Sequence, residues 1–245
     1  MLKEEKKAFL EEKFRFIEDT DGNRYPLDDP RVVHVWPYDF NSYTMLMIEE
    51  VYKKYKWNCR FGGKITNKEM QYGKKLSCGR GCLAFVGILG ATFRDITEYR
   101  PENEISIYYG LENMGLCKIP AWSMLDEIFA DKCKVKNAVF PGHPVLINNF
   151  FGKGLFFGAD LLAAIMTGAL LEEAEASLRC ITGNDQKVLE WFKNSTKKMI
   201  SSFKEGRKSF VSSFKKWCEE ISQLSLAKKP KDFPRILVLG GGALS

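Results

Sequence analysis

The chain has 245 residues, 45% hydrophobic and 28% charged, which is enough to bury a core and too apolar for a disordered or collagen-like polypeptide. Its net charge of +6 arises from 37 Lys and Arg against 31 Asp and Glu. Lys is balanced locally by Glu, so the charge reads as solvated surface rather than a nucleic-acid footprint.

From the N-terminus, Leu2 to Phe14 reads as a charged helix, and Phe14 to Leu27, with Asp21-Gly22 at its middle, as a hairpin. Met1 to Lys13 is dense in Lys and Glu and lacks the pattern of a secretory leader, which predicts a cytoplasmic protein. Val32-Val33-His34-Val35-Trp36 is a short apolar run of a strand buried on both faces, ended by Pro37. After Asn41, a helix cap, the apolar residues Tyr43, Leu46, Met47, Val51 and Tyr55 fall at helical spacing as far as about Lys56. Trp57 to Phe61 is a strand ending in Gly62-Gly63, and a polar stretch from Lys64 to Lys75 follows.

A loop, Ser77-Cys78-Gly79-Arg80-Gly81-Cys82, leads into a helix starting near Gly81. Ile105 to Tyr109 is the next strand, a loop through Met114-Gly115-Leu116-Cys117 leaves it, and Ala121 to Lys132 is a helix. Lys136 to Phe140 is a fourth strand before Pro141-Gly142-His143-Pro144. Strands alternating with helices predict βαβ units and an open, flavodoxin-like parallel sheet with flanking helices. In such sheets the loops leaving the strands' carboxyl ends gather at one edge, where ligands bind.

Phe150 to Leu171 is apolar enough to span a bilayer on length alone. Lys153 and Asp160 interrupt it and four glycines weaken it, so no membrane span is expected and a buried or subunit-interface helix is. Beyond Gly183-Asn184, Leu189, Phe192, Met199, Phe203, Phe210, Phe214, Trp217 and Ile221 form one amphipathic stripe, with a break at Gly206. Arg235 to Leu239 reads as a buried strand followed by Gly240-Gly241-Gly242, the start of a second α/β layer that further residues or another chain would complete. Three regions result: an N-terminal helix and hairpin, 1–30; an α/β domain with cysteine loops, 31–149; and a helical segment ending in a strand of an incomplete second α/β unit, 150–245.

Seven cysteines in a reducing compartment argue against a disulfide framework and leave metal binding, catalysis or core packing. Cys82 and Cys117 sit in small-residue loops with room for an inorganic core, and peptide N–H groups and the amino end of a helix favour anionic sulfur there. The bland alternative is that they are small buried hydrophobes. Cys59, beside Gly62-Gly63, reaches the same edge or serves the core. Cys133 lies past a helix end and reads as structural; Cys180 and Cys218 lie in helices and read as buried. His34 is a core histidine, and His143 a weak acid–base candidate facing the crevice. Arg80 and Lys118 adjoin proposed ligands, where positive charge would stabilise thiolates or dock an anion, or else is solvated. No Walker-type loop, ordered dinucleotide fingerprint or Ser-His-Asp arrangement is present.

The stretch Ser77 to Phe85, SCGRGCLAF, is similar to a Ser-Gly-Lys-Glu-Cys-Leu-Pro segment, and Gly115-Leu116-Cys117-Lys118-Ile119-Pro120-Ala121-Trp122 after the Ile105–Tyr109 strand is similar to a Gly-Pro-Cys-Arg-Phe-Gly-Gln-Tyr segment. Both segments belong to the 2-hydroxyacyl-CoA dehydratase and benzoyl-CoA reductase-related family, including its activator-related proteins. The resemblance runs from about Val32 to Leu171. It departs at Gly81, where the family has Glu, at Ala84, where it has Pro, and at Lys118, where it has Arg. Those departures put substrate and partner contacts in doubt.

The resemblance implies an iron–sulfur cluster, a [4Fe-4S], ligated by Cys82 and Cys117. It also implies low-potential electron transfer for acyl-CoA dehydration or reduction in anaerobic metabolism, and an ATP-hydrolysing activator of the actin-like ATPase fold as partner. Cys78 has no family counterpart and is either a further ligand or part of a small-residue loop. With Cys59 as the other candidate, the ligand set is completed within the chain or by sharing the cluster between subunits of a homo- or hetero-oligomer. Two rival readings stand beside this one: a scaffold or accessory subunit without catalysis, and a structural zinc-binding α/β module.

Overall fold

In the computed structural model the described residues are 7–11, 15–38, 42–78, 81–109, 122–142, 154–182 and 185–224. The chain divides into two compact units, one made of Met1–Asp39 with Lys56–Asp160 and the other of Phe40–Tyr55 with Leu161–Ser245.

The first unit opens with β1 (Phe9–Leu10), β2 (Phe16–Glu18) and β3 (Arg24–Pro26), an antiparallel sheet in the order β1-β2-β3. The hairpin expected around Asp21-Gly22 is there, with Gly22 at φ 89° and Asp19 accepting from the amides of Asp21 and Asn23. The helix expected over Leu2–Phe14 is corrected within the described residues, since Phe9 and Leu10 pair with Glu18 and Ile17 as a strand. An apolar pair finds its partner on the hairpin, which local helix propensity does not foresee.

The main sheet contains β4 (Val32–Trp36), β5 (Asn58–Phe61), β6 (Ile105–Tyr109) and β7 (Ala138–Gly142), all parallel, in the order β5-β4-β6-β7. Every residue of β6 is buried, and every residue of β4 but Val33, which is why these two strands read as continuous apolar runs. The register sets the two faces. Arg60, Val35 and Tyr108 lie in line on one, and His34, Cys59 and Ile107 on the other.

Two helices, α2 (Asn67–Ser77) and α3 (Leu83–Arg94), connect β5 to β6, with a π-helical turn over Asp95–Tyr99; α4 (Trp122–Lys132) precedes β7. The polar stretch from Lys64 to Lys75 is therefore largely helical. Its start is a capping box, in which the Thr66 hydroxyl accepts from the helix backbone while the Glu69 carboxylate accepts from the Thr66 amide.

In the second unit, α1 (Ser42–Lys54) belongs with α6 (Gln186–Ser201), a 3-10 turn at Ser202–Glu205 and α7 (Arg207–Ser222). Met47, Ile48, Val51 and Tyr52 are fully buried on α1. Phe192 meets Tyr43 and Trp217 edge-on, and Phe203 meets Phe210 at 4.9 Å. The break expected at Gly206 is present, with φ 118°. The helix α5 (Gly154–Thr182) contributes Gly154–Asp160 to the first unit and its remaining residues to the second, and it is long and apolar enough by composition to cross a membrane.

Candidate functional site

The described part of the cysteine-loop site is the turn between α2 and α3. These helices pack as an antiparallel pair at backbone contact, because glycine occupies the crossing points. A Cβ on Gly73 would lie 1.8 Å from the Val86 carbonyl oxygen, and one on Gly90 would lie 1.7 Å from that of Glu69. At the far end of the pair Arg94 binds Glu69 and also Glu98 at 2.7 Å. Burial opposes the Glu69 charge, but its hydrogen bonds with Thr66, the backbone and Arg94 pull its pKa down to about 2.

At the near end Cys78 caps α2 in a left-handed conformation, φ 52° and ψ 32°, its amide donating to the Lys74 carbonyl. Cys82 is the N-cap of α3, extended, and its side chain makes no capping bond. Both cysteines are exposed. One turn thus presents two solvent-facing thiols, one at the amino end of a helix, where partial positive charge gathers.

Cys59 is not brought to them. It is the second residue of β5 and lies in register with His34, whereas its neighbour Arg60 points to the helix-covered face, where Asp95 at the end of α3 receives it. Strand alternation therefore puts Cys59 on the face opposite α2 and α3. Cys117, His143, Arg80 and Lys118 lie outside the described residues. Cys133 is placed just past α4, as expected, and is exposed. Burial expected for Cys180 and Cys218 is corrected: both are exposed, on the outward sides of α5 and α7, because helix membership alone does not say which face is covered. Among the described residues no group of three or more His, Cys, Asp or Glu converges to hold a metal.

The sheet brings a second set of groups together. On the α3 face, the Arg60 guanidinium holds Asp95 through two bonds of 2.8 and 2.7 Å and also binds Glu104. Tyr108 donates to Asp95 at 2.7 Å, and Ser106 to Glu104 at 2.6 Å. Burial works against the Arg60 charge, yet the two carboxylates outweigh it and hold the pKa above its ordinary value. Every carboxylate here has a donor, so this network reads as the brace of the sheet.

On the other face His34 is fully buried, stacked on Trp57 at 4.6 Å and hydrogen-bonded with the Tyr109 hydroxyl. Burial pushes its pKa down to about 3, so it is a neutral core histidine, as its place in a strand predicts. Where β4 ends, Gly62 donates to the Trp36 carbonyl at 2.6 Å, and a Cβ on Gly62 would lie 2.0 Å from the Pro37 carbonyl oxygen. Just beyond, Tyr38 is buried within the field of Asp126 on α4. Asp126 is itself buried, and burial alone pushes its pKa up to about 8. This residue was missed in the sequence. Its signal was the i, i+3 spacing with Ser123 and the i, i+4 spacing with Ala130, all three on the buried stripe of α4.

No family model, no curated protein and no solved structure matches the chain.

Proposed function

We propose that the chain is an iron–sulfur protein of the kind its resemblance implies, holding a [4Fe-4S] cluster through Cys82 and Cys117 with Cys78 beside them. The observation that carries this reading is the pair of exposed thiols at one helix–helix turn, Cys78 and Cys82. The fit is partial within the chain. Cys59, on the opposite face of the sheet, is not among the proposed ligands, and sharing of the cluster with a second subunit would complete the set.

The strand order β5-β4-β6-β7 supports the finer, flavodoxin-like reading, since it is second-first-third-fourth in chain order. In that arrangement ligands bind outside the carboxyl ends of the first and third strands. The loop bearing Cys117 follows the third. The bound cluster would supply low-potential electrons for acyl-CoA dehydration or reduction. An ATP-hydrolysing activator of the actin-like ATPase fold would be the electron source, and the setting would be cytoplasmic. The chain's own part is to fix the thiolates at the turn.

The test is the iron and acid-labile sulfide content of Cys82→Ser and Cys117→Ser, purified anaerobically beside Cys59→Ser. Loss of both elements in the first two variants, with retention in the third, is expected. Full retention in either of the first two removes that residue from the ligand set.

A further inference from the structure

A cavity of about 720 Å³ lies in the first unit, lined by the segments that lead into β6 and β7 and by residues of α2 and α3. Its wall is apolar, made by Leu76 of α2, Phe93 of α3, Ile96 of the π-helical turn and Val135. Phe93 is buried and the other three are half-buried. Small-molecule sites are concave spaces of roughly 300–1,000 Å³ with such walls and a few placed polar groups.

The charged groups on this cavity are mainly cations. Lys75 and Lys136 line it and are exposed, Arg100 lines it and is half-buried, and Glu102 opposes them with one negative charge. Arg100 differs from the other arginines of the sheet's helix-covered side. Arg60 and Arg94 each hold two carboxylates. Arg100 instead donates from Nη2 to the neutral carbonyls of Glu104, Lys136 and Asn137, at 3.0, 2.6 and 2.8 Å. Its Nε is buried and has no hydrogen-bond partner. Burial disfavours its charge and pulls its pKa below the ordinary value, the reverse of Arg60.

Wall and cation together select the ligand. A bare inorganic anion leaves the apolar wall in water, and a neutral apolar molecule leaves the Arg100 Nε unsatisfied. An anionic head on an apolar body meets both. The buried donor is a guanidinium, whose planar N–H groups match a carboxylate, and folding has already taken it out of water. The two lysines stand at the solvated rim, where their charge steers an anion inward.

We propose that this cavity binds an apolar monocarboxylate, its body against Leu76, Phe93, Ile96 and Val135 and its carboxylate on Arg100. The site is separate from the cysteine turn and does not depend on a cluster there.

Titration calorimetry of the full chain with octanoate, octanamide and inorganic phosphate tests this. Octanoate should bind one to one, with octanamide at least about tenfold weaker for want of the charge-assisted bond, and phosphate weaker than octanoate. Cys133 also lines the cavity and is exposed, so octanoate should slow its alkylation by iodoacetamide, read by peptide mass spectrometry, and leave that of Cys180 and Cys218 unchanged. Arg100→Gln should lose octanoate binding. Because that change also gives up the carbonyl bonds, Lys75→Glu/Lys136→Glu, on exposed residues, is measured beside it. The double variant should keep its far-ultraviolet dichroism and bind octanoate at least about tenfold more weakly. No octanoate binding, octanamide bound as tightly, phosphate bound more tightly, an unprotected Cys133, or full affinity in the double variant would each overturn the proposal.

Discussion

Asp126 is held where its charge is disfavoured, and that has a measurable sign. Its pKa rises from the ordinary carboxylate range to about 8 in the folded chain, so between about pH 4 and pH 8 the native state binds a proton that the unfolded state has released. Stability therefore falls as pH rises through that window, by about 1.4 kcal/mol per pH unit. Asp126→Asn removes the slope. Chemical denaturation should show the variant more stable than the parent at pH 8, with the gap closing towards pH 4; a constant gap would contradict the assignment. His34 acts in the opposite sense. With its pKa near 3 when folded, the unfolded chain binds the extra proton below about pH 6.5, so stability is lost on acidification from there. His34→Gln, which keeps a partner for Tyr109, should flatten the acid limb. The sequence made His34 legible because a histidine inside an apolar strand has nowhere to go but the core. Asp126 was not legible, since an acidic residue on a helix ordinarily marks the solvated side.

At the scale of elements, the strands and most helices follow from apolar periodicity, and the failures have physical causes. The helix α2 was hidden because its surface is polar, though Thr66 and Glu69 carried the capping signature that marks its start. What holds it on α3 is backbone contact at Gly73 and Gly90. In an isolated helix Gly90→Ala would gain about 1 kcal/mol from propensity. Here overpacking costs about 3 kcal/mol, because the obstacle is a backbone carbonyl. A net loss of about 2 kcal/mol in denaturant unfolding is expected, against almost none for Gly63→Ala, whose added carbon meets open space. The Arg60 brace joins β5, β6 and the end of α3 in the same unit. Arg60→Met leaves Asp95 and Glu104 buried without their cation, a loss of about 3–5 kcal/mol that a denaturant melt would read. That brace was invisible in sequence, because its members come from three separated segments and meet only when the parallel register sets their face.

At the scale of the molecule, the parallel α/β core was legible from strand–helix alternation, and the helical stripe from Leu189 to Ile221 announced the second unit's packing. The membership of α1 was not legible. It stands between β4 and β5 in sequence, yet it clusters with α6 and α7, with Tyr43 edge-on to Phe192 of α6 and Lys54 over the Phe203 ring of the 3-10 turn. Of the candidate site, the exposed turn with Cys78 and Cys82 follows from a small-residue loop before a helix. The separation of Cys59 could be read only once β5 had a register. The measurement that bears most directly on the central claim is an anaerobic preparation of the whole chain analysed together for iron, acid-labile sulfide and zinc, with its visible spectrum before and after reduction. Stoichiometric iron and sulfide with a brown absorption that bleaches on reduction is the predicted result. Folded, colourless protein that holds zinc alone, or that cannot be reconstituted with iron and sulfide, would contradict it.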